Sequence, residues 1–235
     1  MHAVIDTLQN VGLFVLFLAA RFAVLLVVLA GLTVLFVAGL AVVRLANRAR
    51  RHAMGLTRVG GLVWRAGVYF TPGHAWLQAR EGGGLRVGLD DLAQHVLARI
   101  SEVILPEPGQ LVRAGEPVAV IRCGKRRAMI PVPVGGRVLA VNRRLSGNPA
   151  RLHNDPYGSG WLYAVKPDDS AYARLPYGDE AKSWFTQEAG RLSQFFEHQL
   201  GMAAADGGEL VAPAPSLLTE SQWAEMTESF LQAPR

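Results

Sequence analysis

Between Phe22 and Val43 the chain reads FAVLLVVLAGLTVLFVAGLAVV, 22 residues without a charge. No other stretch limits the fold as strongly. A helix of this length extends about 33 Å, enough to cross a hydrocarbon layer of about 30 Å. No polar stripe interrupts it, so a helix buried in a water-soluble core is disfavoured. A cleaved leader fits poorly too, because the residues before the run are not basic and the run is too long. Val11–Ala20 is also apolar but is separated by Arg21. Ten residues are too few for a second span, so residues 8–20 are expected to extend the same helix near the interface.

The charges beside the run set a direction. Arg44, Arg48, Arg50 and Arg51 follow it, and only Arg21 precedes it. By the positive-inside rule, a single-pass helix in the inner (cytoplasmic) membrane leaves the rest of the chain in the cytoplasm. The same cluster shapes the reading of the formal charge of +5. Basic residues gathered beside an apolar span suit anionic lipid headgroups. No basic patch interleaved with aromatics points to nucleic acid.

From Leu62 to Pro167 the pattern changes. Short apolar or alternating runs, among them Ala75–Ala79, Pro117–Ile121, Met129–Val132 and Arg137–Val141, are punctuated by Gly and Pro every eight to twelve residues. That spacing predicts a small all-β sandwich or barrel. Asp90 or Asp91 is placed to cap one short helix over LAQHVLA. Pro108-Gly109, Ala114-Gly115 and Gly135-Gly136 supply turns.

One cationic knot, RCGKRR, lies between two of the predicted strands, with Arg122–Ala128 as their connection and Gly124-Lys125 at or near a hairpin tip. Only three lysines occur among the twenty-four basic residues. By composition alone a cation here would be lysine about one time in eight. A functional role for the amine would demand lysine, because a guanidinium stays protonated and accepts an acyl group poorly.

Three further segments resemble a known family. YFTPGHAW, LRVGLDDLAQHVLARISEVILPEPGQLVRAGEP and NPARLHNDPYGSGWLYAVKP are similar to the opening strand, central strand–helix–turn and closing segment of glycine cleavage H proteins. These belong to the biotinyl/lipoyl-attachment superfamily. The resemblance implies a mainly β, barrel-sandwich hybrid domain. It implies a carrier without catalytic residues of its own, served by a lipoyl ligase or transferase. Its partner enzymes would belong to a glycine-cleavage-like or sulfur-transfer system. In the family the lipoylated lysine lies eight residues before the proline of a PVSG-type turn. Counting back from Pro133 reaches Lys125, which the resemblance makes the attachment site for covalent lipoate. The family's usual Glu-Ser-Val-Lys-Ala is here Arg122-Cys123-Gly124-Lys125-Arg126.

Other candidates read more plainly. Cys123 is the only cysteine, so neither an internal disulfide nor a cysteine-built metal site is available. It suits a small strand residue, with a mixed disulfide to a lipoyl thiol as the chemical alternative. His74 and Trp76 suit packing and hydrogen bonding, with contact to a lipoyl arm as the alternative. The six scattered histidines give no metal signature.

The expected organisation is a membrane anchor with basic flank over 1–52 and an H-protein-like domain over 62–168. An amphipathic helix packed on it covers 169–200, and a linker with a short terminal helix covers 201–235. Ala181, Trp184, Phe185, Leu192, Phe195 and Phe196 fall at helical spacing. Thr219 and Gln222 form a potential capping box, with Trp223, Met226 and Phe230 on one face. This second helix suits either a docking peptide or a segment folded back on its own domain. Two other readings compete with a lipoyl carrier. One is an H-like membrane adaptor without the modification. The other is a periplasmic efflux-type adaptor, which would need a long helical hairpin where only Arg122–Ala128 is available.

Overall fold

The computed structural model describes residues 2–97, 99–200 and 214–232, and the side chains of all of these except 2–12, 14, 15, 19 and 214. The chain divides into two compact units, Met1–Ala53 and Met54–Arg235. The first is one helix, α1 (His2–Ala53). Its Leu16–Ala53 portion is long and apolar enough to cross a membrane; its most apolar 18-residue stretch has a mean hydropathy of 2.8, and none of that stretch is buried. The helix runs through Arg44, Arg48, Arg50 and Arg51, so these arginines lie on its last turns and do not follow its end.

The second unit opens with a hairpin, β1 (Leu56–Val59) and β2 (Leu62–Arg65). Then come β3 (Tyr69–Phe70), β4 (Ala75–Ala79), β5 (Leu85–Leu89) and α2 (Asp91–Val96). β6 (Glu102–Ile104), β7 (Leu111–Val112), β8 (Pro117–Cys123), β9 (Arg126–Pro131) and β10 (Gly136–Val141) follow. Two short helices, α3 (Arg144–Gly147) and α4 (Ala150–Asn154), precede β11 (Tyr163–Pro167). The C-terminal helices are α5 (Gly178–Leu200) and α6 (Glu220–Leu231).

The strands form a six-stranded sheet, β3-β4-β5-β11-β10-β7, and a three-stranded sheet, β6-β8-β9. Every pairing is antiparallel. Alternation sends successive side chains to opposite faces, and in the larger sheet both faces are covered: Leu77, Val87 and Tyr163 lie on one, Phe70 and Trp76 on the other. Phe70, Trp76, Leu77, Val87 and Tyr163 of the larger sheet join Ile121, Ala128 and Ile130 of the smaller in one core. Each large apolar side chain buried there contributes about 1.5–3 kcal/mol. β10 and β11 approach closely at Gly136: a Cβ there would run into the Lys166 carbonyl oxygen, so only glycine fits.

The caps follow local chemistry. The Asp90 carboxylate accepts the Ala93 amide at 2.9 Å and is the N-cap of α2. NDPYGSGW is an ordered corner. Asn142 donates to the Ser159 and Trp161 carbonyls, and the Asp155 carboxylate accepts the Ser159 amide. α5 buries Ala181, Phe185, Ala189, Leu192 and Phe196 and lies against β1, β2 and β3. In α6 the capping box forms between Thr219 and Gln222. That helix is folded back: Trp223, Met226, Phe230 and Leu231 are buried, and it contacts α2 and β9. The linker expected over 201–215 falls mainly on 201–213, outside the described residues.

Candidate functional site

β8 and β9 pair as far as Cys123↔Arg126, leaving Gly124 and Lys125 as a two-residue turn. The ladder therefore replaces most of the connection expected over Arg122–Ala128. Cross-strand pairing continues because alternation persists on both strands, with Cys123 and Ala128 inward and Arg122 and Arg127 outward. Gly124 has φ of +65° and occupies the first central position, as in a type II′ turn. Lys125 takes the second. No long helical insertion separates the strands, as an efflux-type adaptor would require.

Lys125 is exposed, and among the described residues no ion pair or side-chain hydrogen bond holds it. The turn beneath it is fixed. The Ser101 amide donates to the Arg122 carbonyl at 2.8 Å, and the Gly124 amide donates to the Ser101 hydroxyl at 3.3 Å. A flexible four-carbon side chain thus starts from a rigid base, an arrangement suited to a mobile attached group.

The flanking arginines do different work. Arg122 pairs with Glu102 at 3.2 Å, both about half exposed. Arg126 turns inward and binds the C-terminal segment. Its Nε donates to Glu220 at 2.9 Å, and its terminal nitrogens donate to the Pro215 and Leu218 carbonyls. Its guanidinium carbon also lies 5.6 Å from the centre of the Trp223 ring. Sequence reading assigned none of these partners, because they lie 89 or more residues away.

A cavity of about 990 Å³ opens beside the tip of the hairpin, with Gln94, Leu97, Ile100, Cys123, Gly124 and Phe196 in its wall. Its size suits a small-molecule or prosthetic-group site. Among the described residues the buried Gln94 side-chain amide makes no hydrogen bond at either end. Cys123 is buried, in keeping with a small inward strand residue.

His74 and Trp76 lie in the interior, not at this hairpin. The Trp76 indole donates to the Leu89 and Pro156 carbonyls. His74, at φ of 56°, occupies a left-handed conformation that its own contacts must stabilise. Its ring nitrogens approach Asp90 at 2.9 Å and Glu188 at 3.4 Å. Arg191 donates to Glu188 at 2.9 Å and to the Ser229 carbonyl of α6 at 2.6 Å. Complete burial opposes charge on His74, but Asp90 and Glu188 outweigh it and raise its pKa to about 9. Burial likewise opposes charge on Glu188, yet His74 and Arg191 pull its pKa below the ordinary carboxylate value. The chain from Asp90 through His74, Glu188 and Arg191 ties α2, α5 and α6 together. Among the described residues no group of histidine, cysteine and carboxylate side chains could hold a metal ion.

The model for the family described as glycine cleavage H-protein matches residues 68–188, just over half of the chain. The chain belongs to that family. The probable glycine cleavage system H protein of Pyrococcus abyssi is 37% identical over 114 residues, covering 48% of this chain and 84% of that protein. The glycine cleavage system H protein of Aeromonas hydrophila is 40% identical over 101 residues, covering 43% and 78%. The crystal structure of an H protein from Mycobacterium marinum aligns with a TM-score of 0.47 and 30% identity, covering 52% of this chain and 98% of that one. H proteins are non-catalytic lipoyl carriers of the glycine cleavage system and bear covalent lipoate as a family trait. In this member α1, the β1–β2 hairpin, the C-terminal half of α5 and all of α6 lie outside the family match.

Proposed function

We propose that this protein is a membrane-anchored lipoyl carrier whose prosthetic group is attached to Lys125. The observation that carries the reading is the presentation of Lys125: an exposed primary amine on a braced two-residue turn, with no ion pair among the described residues. The residues fit the group. An enzyme can reach the amine from solvent, and the partly apolar cavity beside Cys123 and Gly124 can accept an aliphatic arm. A lipoyl group supplies a dithiolane that can take up acyl, aminomethyl or redox equivalents. The protein supplies a rigid base for it and a recognisable surface around it.

The departures at positions 122 and 126 are compatible with attachment. Arg126 serves the C-terminal segment and Arg122 serves Glu102, and neither engages Lys125. Residues 1–52 form the anchor with its basic flank, 62–168 the H-protein-like domain, 169–200 the packed helix and 201–235 the terminal extension. The positive-inside rule places the carrier domain on the cytoplasmic side of the inner membrane. Anchoring concentrates the carrier near membrane-associated partner enzymes of a glycine-cleavage-like or sulfur-transfer system. A lipoyl ligase or transferase loads it.

The test is expression of the full chain in a lipoate-auxotrophic host, followed by lipoyl-specific immunoblotting of membrane and soluble fractions. A lipoate-dependent signal in the membrane fraction, resistant to alkaline extraction and lost in Lys125→Arg, supports both halves of the reading. A signal in the soluble fraction removes the anchor. A lipoate-fed chain without signal removes the carrier and leaves the unmodified adaptor.

A further inference from the structure

The three-stranded sheet presents its residues in alternating rows. Val103, Ile121 and Ala128 form an inward row, and all three are buried. On the outward side, Ile104, Val120 and Met129 share one row across all three strands. Ile104 is 40% exposed and Met129 51%. Glu102, Arg122 and Arg127 form the next outward row toward the tip. Beyond it lies Lys125. An apolar bar, a mainly cationic bar and the acceptor amine thus follow one another along one face.

The opposite side of the same hairpin end is partly covered by the C-terminal segment, beside the cavity lined by Cys123 and Gly124. Arg126 points inward and is held by Pro215, Leu218 and Glu220, with Trp223 against it. An enzyme bringing its active site to Lys125 is therefore directed to the outward face. Scattered exposed apolar side chains are ordinary on a soluble domain. These three form a contiguous row of one sheet, ending at the proposed site. Met129 adds an adaptable side chain of the kind used at binding surfaces. Charge selects the partner: Arg122, Arg127 and Lys125 face outward or forward against the single carboxylate of Glu102 in these rows.

We propose that the outward face of β6–β8–β9 is the surface on which the enzyme that loads Lys125 docks, and that this enzyme presents an apolar patch rimmed by carboxylates. The proposal rests on Lys125 being the acceptor. Apolar contact at Ile104, Val120 and Met129 supplies the centre of the interface. Arg127 and Arg122 steer and align it. The partner thereby recognises the sheet as well as the turn.

The experiment uses the full chain in nanodiscs and the purified lipoate–protein ligase of the source organism. Two readouts are followed: association by interferometry, and kcat/KM for lipoyl transfer. Arg127→Glu and Met129→Asp replace exposed side chains, and Leu139→Asp on β10, 49% exposed, is the control. The expected result is about a tenfold loss of association and of kcat/KM in the two test variants. The control stays within about twofold, and wild-type association weakens as salt rises. Test variants that match the control overturn the docking face, as does salt-independent association or the absence of association by wild type. Association that the test variants weaken, without any transfer, sustains the docking face and removes Lys125 as acceptor. Unchanged melting of each variant excludes unfolding as the cause.

Discussion

Arg126 and Glu220, 94 residues apart in sequence, form a 2.9 Å ion pair that fastens the C-terminal helix beside the lysine turn. The pair sits at the join between the family domain and an extension beyond it. Glu220 is 77% exposed, so the carboxylate contributes little by itself. The two carbonyls that Arg126 also caps, those of Pro215 and Leu218, are the stronger reason for an arginine here. Arg126→Ala is expected to cost about 1–2 kcal/mol and to raise amide hydrogen exchange across 220–231 more than elsewhere. Arg126→Lys should recover only part of this, because an ammonium lacks the planar fork of donors. Equal exchange in all three proteins would show that apolar packing alone holds α6.

The turn itself depends on Gly124. A Cβ there would meet no atom within 4 Å, so substitution acts through backbone conformation and not through a clash. At φ of +65° an alanine is strained by about 1–2 kcal/mol. Gly124→Ala should lower the urea midpoint accordingly, and Gly124→Asn should lower it less. A midpoint unchanged by alanine would mean that the turn relaxes freely.

Stability should fall as the solution becomes alkaline. In the unfolded chain His74 titrates near its ordinary value of about 6.5, whereas the fold keeps its proton up to about 9. The contribution is complete below the unfolded value and is lost as pH rises through 9. One proton limits the slope to about 1.4 kcal/mol per pH unit. Glu188 contributes in the opposite sense, losing its share only as pH falls through its depressed pKa. Denaturant unfolding from pH 6 to 10 should show the alkaline loss in wild type and a flatter profile in Glu188→Gln. Identical profiles would separate His74 from the pH response.

Much of this architecture was legible because its causes are local. The uncharged run from Phe22, the cap at Asp90 and the Thr219–Gln222 box each act within a few residues, and the structure forms the helix and both caps. The lysine turn was legible from Gly124-Lys125 between two alternating runs. The β1–β2 hairpin was not, since each strand has four residues and its cover comes from α5, more than 100 residues later. The roles of Arg126 and His74 were hidden for the same reason. Arg126 meets Glu220 across 94 residues, and His74 meets Glu188 across 114. A cation beside a lysine gives no local sign that it will turn inward to bind the carbonyls that lead into a distant helix.

The most direct measurement is the intact mass of the full-length protein purified from a lipoate-replete source, followed by fragmentation of the peptide containing residue 125. The predicted result is one lipoyl increment localised to Lys125 and absent from Lys125→Arg. An unmodified mass under full lipoate supply, or an increment on Lys166 or Lys182, would contradict the account.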